Sequence, residues 1–162
     1  MIEDELVNRV LDAFRARGWT LAVAESCTGG ELCARLSAPA GSSDVFVGGV
    51  IPYADSAKIA LLDVPAQLIQ AHGAVSAEVA SAMASGVRTR LNADIGVGIT
   101  GIAGPGGARP EKPVGLVFIA VCGPGGVHDS RREMWRGSRE SNRAHSVECA
   151  FESLLQRATA NS

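Results

Sequence analysis

Short apolar runs alternate with helix-period segments along almost the whole chain, and that alternation leaves few folds open. Leu6, Val7, Val10, Leu11 and Phe14 recur at helical spacing, so residues 3–17 form an amphipathic helix that ends at Gly18. Residues 20–24 read as a short buried strand. Thr28 and Glu31 have the spacing of a capping box, which places Thr28 at the N-cap of a helix over 29–37. Residues 45–53 are rich in β-branched and aromatic side chains and read as a second strand. Asp55 or Ser56 caps a short helix that runs to Leu62, and another turn of helix runs from Pro65 to His72. Ser76 caps a longer helix with Val79, Met83, Val87 and Leu91 on one face. Residues 94–100 form a third strand. Residues 101–113 carry too much glycine and proline for regular structure. Residues 114–121 and 128–135 are two further strands, paired antiparallel across a turn at 123–126. A last helix begins at Arg139 and runs to Ala158, with Val147, Ala150, Phe151, Leu154, Leu155 and Ala158 facing inward. Strands separated by helices imply an α/β fold, a layered α/β/α sandwich on a largely parallel, mixed sheet of about five strands. No repeat or linker divides the chain, so residues 1–162 read as one domain.

Composition narrows the function. Lys plus Arg number 15 against 17 Asp plus Glu, a net charge of -2. Nucleic-acid binders usually carry a basic surplus, and aromatic residues, at 4%, are too few for base-stacking platforms. Nucleic acid is therefore not an expected partner. The amino terminus is acidic and amphipathic, and no apolar run approaches the ~20 residues of a membrane span. Cys27, Cys33, Cys122 and Cys149 lack C-x-x-C spacing and the three histidines are scattered, so no zinc site is expected. The cysteines read as free thiols of a cytoplasmic protein.

Three turns that follow strands carry the chemistry. They are Glu25-Ser26-Cys27-Thr28-Gly29-Gly30, the stretch from Thr100 and Gly101 to Gly107, and the segment from Tyr53 to Lys58. In open α/β sheets ligands bind beyond the carboxyl ends of the strands, so all three belong to one edge. Neither glycine-rich turn is a phosphate-binding Walker loop or a dinucleotide fingerprint. Two nucleophile readings stand side by side. Cys27 precedes a helix start, where the dipole lowers a thiol pKa, with Glu25 and Lys58 as partners in an amidase. Alternatively, Ser42 or Ser43 is paired with Lys58. A lysine in a first helical turn, partly buried, has a depressed pKa and serves as a base toward serine, with Tyr53 as a proton relay. Arg139 and Arg143, at the start of the last helix, suit an anionic group.

These blocks resemble one family. Ala24-Glu25-Ser26-Cys27-Thr28-Gly29-Gly30, Gly41-Ser42-Ser43, Tyr53 with Lys58, His72-Gly73-Ala74-Val75-Ser76, Gly101-Ile102-Ala103-Gly104-Pro105 and Lys112-Pro113-Val114-Gly115 occur in the order found in CinA C-terminal domains. The resemblance covers essentially the whole chain. The amino-terminal domain of full-length CinA proteins has no counterpart in it. The family includes stand-alone nicotinamide mononucleotide deamidases. The resemblance therefore implies an amidohydrolase of pyridine nucleotide salvage that releases ammonia and nicotinate mononucleotide without a cofactor or metal. It implies Ser43 as nucleophile, Lys58 as base and Tyr53 as relay. Ser26, Thr28, Gly29, Gly30, Thr100 and Gly101 would line the substrate site, and Arg139 or Arg143 would hold the phosphate. Relatives often carry Asp where this chain has Ser138, and Asn where it has Asp55. The remaining alternatives are a non-catalytic nucleotide-binding module and the Cys27-dependent amidase. The expected partner is a small pyridine nucleotide, in a homo-oligomer in which residues 38–44 and 101–113 reach a neighbour's site.

Overall fold

A computed structural model describes residues 2–161, and Met1 and Ser162 lie outside the described residues. The element order is α1 (Ile2–Arg17), β1 (Leu21–Glu25), α2 (Glu31–Ser37), β2 (Phe46–Val50), α3 (Asp55–Leu62), α4 (Ala66–His72), α5 (Ala77–Arg90), β3 (Ile95–Gly101), β4 (Leu116–Gly123), β5 (Gly126–Met134) and α6 (Arg139–Thr159). A short 3-10 turn, Ser42–Asp44, precedes β2. The strands form one five-stranded sheet in the order β2-β1-β3-β4-β5. The sheet is mixed: β1 runs parallel to β2 and β3, whereas β3–β4 and β4–β5 are antiparallel. The antiparallel half follows from connectivity, because β3 reaches β4 through a loop with no crossover helix.

The two faces of the sheet differ in side-chain size, and the difference sets how closely the helices approach. Leu21, Val23, Ile95, Val97 and Ile99 point to one face, where they meet Val10, Leu11 and Phe14 of α1, Leu32 and Leu36 of α2, and Phe151 and Leu154 of α6. The alternate positions on β1 and β3 are Ala22, Ala24, Gly96 and Gly98. On that face α5 comes so near that a Cβ on Gly98 would lie 2.4 Å from the carbonyl oxygen of Ala80. One layer is thus held by interdigitated large side chains and the other by backbone proximity. Phe14 and Phe151 are completely buried in the first layer, where truncation of a phenylalanine typically costs about 3–5 kcal/mol. Large residues at one parity and small ones at the other leave one tight slot, and α5 fills it.

Helix starts follow the local chemistry in two cases and depart from it in two. Ser76 accepts from the Val79 N–H at 3.2 Å, and Ser138 accepts from the Ser141 N–H at 3.2 Å. Thr28 does not cap α2: the N-cap is Gly30, in a left-handed conformation at φ 100°, and Thr28 Oγ1 is buried with no partner. The carboxylate of Glu25 performs that function instead, accepting from the N–H groups of Leu32 at 2.9 Å and Cys33 at 3.0 Å. A fully buried carboxylate must find donors, and the free N–H groups of a helix start are at hand. Asp55 is the first residue of α3 and not its cap; the N-cap is Ala54, which makes no side-chain bond.

Candidate active site

Because β2, β1 and β3 run parallel, their carboxyl ends deliver Tyr53, Ser26 and Thr100 to the same edge of the sheet. There they line a cleft of about 240 Å³ together with Cys27, Lys58, Gly101, the wall at 102–107 and Arg139. A second hollow of about 680 Å³ adjoins it, and Asp55, Ala74, Val75, Ile102 and Gly107 line both.

Lys58 is the chemical centre of the cleft. Its side chain is buried, and Nζ lies 3.3 Å from Ser26 Oγ, 3.1 Å from the Pro52 carbonyl oxygen and 3.0 Å from that of Tyr53. The two carbonyls come from the turn between β2 and α3 and fix the amine's direction; Ser26, 32 residues away in sequence, is its side-chain neighbour. Burial pulls the Lys58 pKa below the ordinary lysine value, while the negative charge of Asp55 opposes that shift. Ser26 is itself buried and held by its backbone, whose N–H donates to the Ile99 carbonyl at 3.0 Å. A hydroxyl beside a lysine with a lowered pKa is the arrangement of an activated nucleophile.

Ser43 does not belong to this cleft. It sits in the exposed turn before β2, at the amino end of that strand, whereas Tyr53 and Lys58 follow its carboxyl end. Five residues of extended chain separate the two ends, about 17 Å at the usual rise per residue. The serine that meets Lys58 is Ser26.

Tyr53 also takes a different place from a relay. Its ring is mainly exposed and its hydroxyl accepts from Arg139 Nη2 at 3.3 Å, while only its backbone carbonyl touches Lys58. Arg139 is braced on its other side by donating to the Gly104 carbonyl at 2.8 Å, and so closes the cleft's outer wall. Arg143 is drawn away: Nη2 donates to the Thr28 carbonyl at 2.9 Å, beside Gly29. Arg143, Thr28, Gly29 and Gly30 therefore brace the turn that carries Ser26 and do not line the cleft. The left-handed φ of Gly29 (61°) and Gly30 (100°) lets the chain reverse sharply after Ser26.

Thr100 lines the floor, where its hydroxyl donates to the Ala74 carbonyl at 2.9 Å and ties the loop before α5 to the end of β3. Cys27 lies in the lining too, but burial, together with the negative charge of Glu25, pushes its thiol up to about 12. That is the reverse of an activated cysteine, and it argues against the thiol mechanism. All four cysteines are free.

Asn142, absent from the sequence reading, supports the cleft wall. It is buried on α6, and Nδ2 donates to the carbonyls of Ala103 at 3.0 Å and Gly137 at 3.1 Å, while Oδ1 accepts from the Gly137 N–H at 3.0 Å. Its signal in the sequence is an amide one helical turn before Ser146 and Val147, on the face that turns inward. Among the described residues no helix is long and apolar enough to cross a membrane, and no three His, Cys, Asp or Glu side chains are grouped as metal ligands.

The comparisons agree with this architecture. The CinA C-terminal domain profile matches residues 3–158. A CinA-like protein of Synechococcus sp. (strain RCC307) is 54% identical over 146 residues, covering 90% of this chain and 35% of that protein. The chain thus spans about a third of the length of such curated relatives. Two solved structures match it over nearly their whole lengths. A CinA superfamily protein from Klebsiella pneumoniae 700603 has a TM-score of 0.93 at 37% identity, with 96% of this chain and 97% of that one covered. The competence damage-inducible protein A from Klebsiella pneumoniae subsp. pneumoniae MGH 78578 has a TM-score of 0.94 at 35% identity, with 99% of each chain covered. By profile, sequence and fold, this chain belongs to the CinA C-terminal domain family.

Proposed function

We propose that the cleft hydrolyses a carboxamide, that its substrate is nicotinamide mononucleotide, and that Ser26 and Lys58 are the nucleophile and base. The observation that carries the reading is the buried Lys58 amine 3.3 Å from Ser26 Oγ. The resemblance of the motifs to nicotinamide mononucleotide deamidases supplies the substrate.

The steps follow from that pair. Neutral Lys58 takes the hydroxyl proton as Ser26 Oγ attacks the carboxamide carbon. The tetrahedral intermediate collapses with cleavage of the C–N bond, and the proton on Lys58 passes to the departing nitrogen, which leaves as ammonia. Lys58, neutral again, takes a proton from water, whose oxygen attacks the Ser26 ester. As the ester C–O bond breaks, the proton on Lys58 passes to Ser26 Oγ, which restores the serine and the neutral lysine and frees the acid, which ionises to the carboxylate. One water is consumed, and one carboxylate and one ammonium are formed, the ammonia taking up the proton that the acid releases. Depression of the Lys58 pKa by burial raises the share of neutral amine on which both proton transfers draw. Tyr53 and Arg139 close the cleft beside the reacting group and orient it.

The test is ammonia release from nicotinamide mononucleotide by wild type, Ser26→Ala and Lys58→Met, with intact mass spectrometry for an acyl adduct. Turnover by wild type and loss of at least ~10³-fold in both folded variants is the expected result. A silent wild type that still binds the nucleotide would make the chain a binding module.

A further inference from the structure

We infer that the hollow beside the cleft is the phosphate subsite, and that Arg109 and Lys112 read the substrate's phosphomonoester. The inference rests on the proposed nucleotide substrate. It reassigns the anion contact from the start of α6 to the loop between β3 and β4.

Four observations carry it. First, the reactive cleft, at about 240 Å³, is small for a nucleotide, since ligand sites usually span roughly 300–1,000 Å³. The adjoining hollow of about 680 Å³ supplies the missing room, and Asp55, Ala74, Val75, Ile102 and Gly107 line both spaces. Second, the arginines of α6 are already engaged, Arg139 with the Gly104 carbonyl and Tyr53 hydroxyl and Arg143 with the Thr28 carbonyl. Arg109, by contrast, lines the hollow with no hydrogen-bond or ion-pair partner for its guanidinium among the described residues. Third, Lys112 is placed, not floppy. Its Nζ donates to the His72 carbonyl, and a Cβ on residue 73 would come within 2.6 Å of that nitrogen, so Gly73 leaves it room. The backbone of residues 109 and 112 pairs in both directions, Arg109 N–H to Lys112 at 2.9 Å and Lys112 N–H to Arg109 at 3.0 Å. That pairing presents both cations from one tight turn. Fourth, the amino ends of α3 and α5 approach the same hollow through Asp55 and Val75, and helix starts favour anions.

Two carboxylates also line the hollow, and neither neutralises the cations. Asp55 stands where the two spaces join, and Glu111 at the tip of the turn; no ion pair links them to Arg109 or Lys112 among the described residues. A phosphate at the outer end would accept from the guanidinium of Arg109 and from the remaining N–H donors of Lys112. This also accounts for two sequence blocks that the Ser26–Lys58 pair leaves unused, His72-Gly73 and Lys112-Pro113, which meet at this wall.

The experiment measures binding by calorimetry, using Ser26→Ala so that no turnover intervenes. The probes are nicotinamide mononucleotide and nicotinamide riboside, which differ only in the phosphate, with ribose 5-phosphate against ribose as a pair that does not depend on the pyridine. The Ser26→Ala protein prefers the phosphorylated member of each pair. Adding Arg109→Gln or Lys112→Gln reduces that preference by about 10- to 100-fold and leaves riboside binding unchanged. Adding Arg139→Gln weakens mononucleotide and riboside alike. A phosphate preference that survives Arg109→Gln and Lys112→Gln, that vanishes instead in Arg139→Gln, or that is absent from the start overturns the subsite. Ribose 5-phosphate discrimination that depends on Arg109 and Lys112, in a protein whose wild type releases no ammonia, sinks the deamidase reading and leaves the subsite standing. Thermal melts show which variants are folded.

Discussion

Arg143 on α6 donates to the carbonyl oxygen of Thr28, a residue 115 positions earlier, at 2.9 Å. This one bond pins the turn carrying Ser26 to the last helix. It joins the turn after the first strand to the last helix, because α6 packs on the same face as α1 and α2. Arg143→Ala should therefore lower the unfolding free energy by about 1.5–3 kcal/mol, the usual worth of a charge-assisted hydrogen bond. Urea denaturation measures it. An unchanged midpoint with an unchanged slope would show that the turn holds its shape without Arg143.

Ser26 and Ser43 occupy opposite ends of the parallel strands, and only one adjoins Lys58. Ser43→Ala should keep ammonia release within about twofold of wild type, since surface substitutions away from such features change little. Side-by-side rates for Ser43→Ala and Ser26→Ala decide it. Equal losses in the two would mean that Ser43 acts at a site other than this cleft.

The base must be neutral to accept a proton, so kcat/KM should rise with pH through the Lys58 pKa and level off above it. Burial lowers that pKa and Asp55 raises it. Removing the Asp55 charge therefore lowers it further, and Asp55→Asn should move the acid limb of the profile toward lower pH. A limb that moves upward, or does not move, would mean that the limb reports some other group.

Cys27 holds its thiol with a pKa pushed up to about 12, chiefly by burial. At pH 8 only about one thiol in ten thousand is ionised. Treatment with iodoacetamide at that pH should leave the activity intact, and Cys27→Ser should retain most of it. Stoichiometric inactivation tracking alkylation of Cys27, found by peptide mapping, would restore the thiol mechanism.

Gly98 faces α5 with no room for a methyl group, its Cβ position lying 2.4 Å from the Ala80 carbonyl oxygen. The two nearest atoms, that oxygen and the Ala84 nitrogen at 2.7 Å, are backbone, so neither can rotate aside. Gly98→Ala should cost about 1–3 kcal/mol, the range for overpacking a filled interior. It should also disturb activity, because α5 and β3 together position Ala74 and Thr100. Thermal melting beside a rate assay reads both effects.

Periodicity alone determined the element order, the α/β class and the edge of the sheet where the chemistry collects. These are local properties: helical and strand spacings are written over ten or twenty residues, and parallel strands must send their carboxyl ends the same way. Lys58 and the turns at Ser26 and Thr100 were legible for that reason. Which serine meets Lys58 was not, since it depends on which end of β2 each occupies and on a contact spanning 32 residues. The capping of α2 was equally hidden. Thr28 and Glu31 match a local capping pattern, but buried Glu25 reaches the helix start first, because a carboxylate without water needs donors more than a hydroxyl does. The division of labour between Arg139 and Arg143 was likewise decided in three dimensions. Both lie on one helix four residues apart, and only the packing of α6 against two different loops turns one toward the cleft and the other toward the chain behind it.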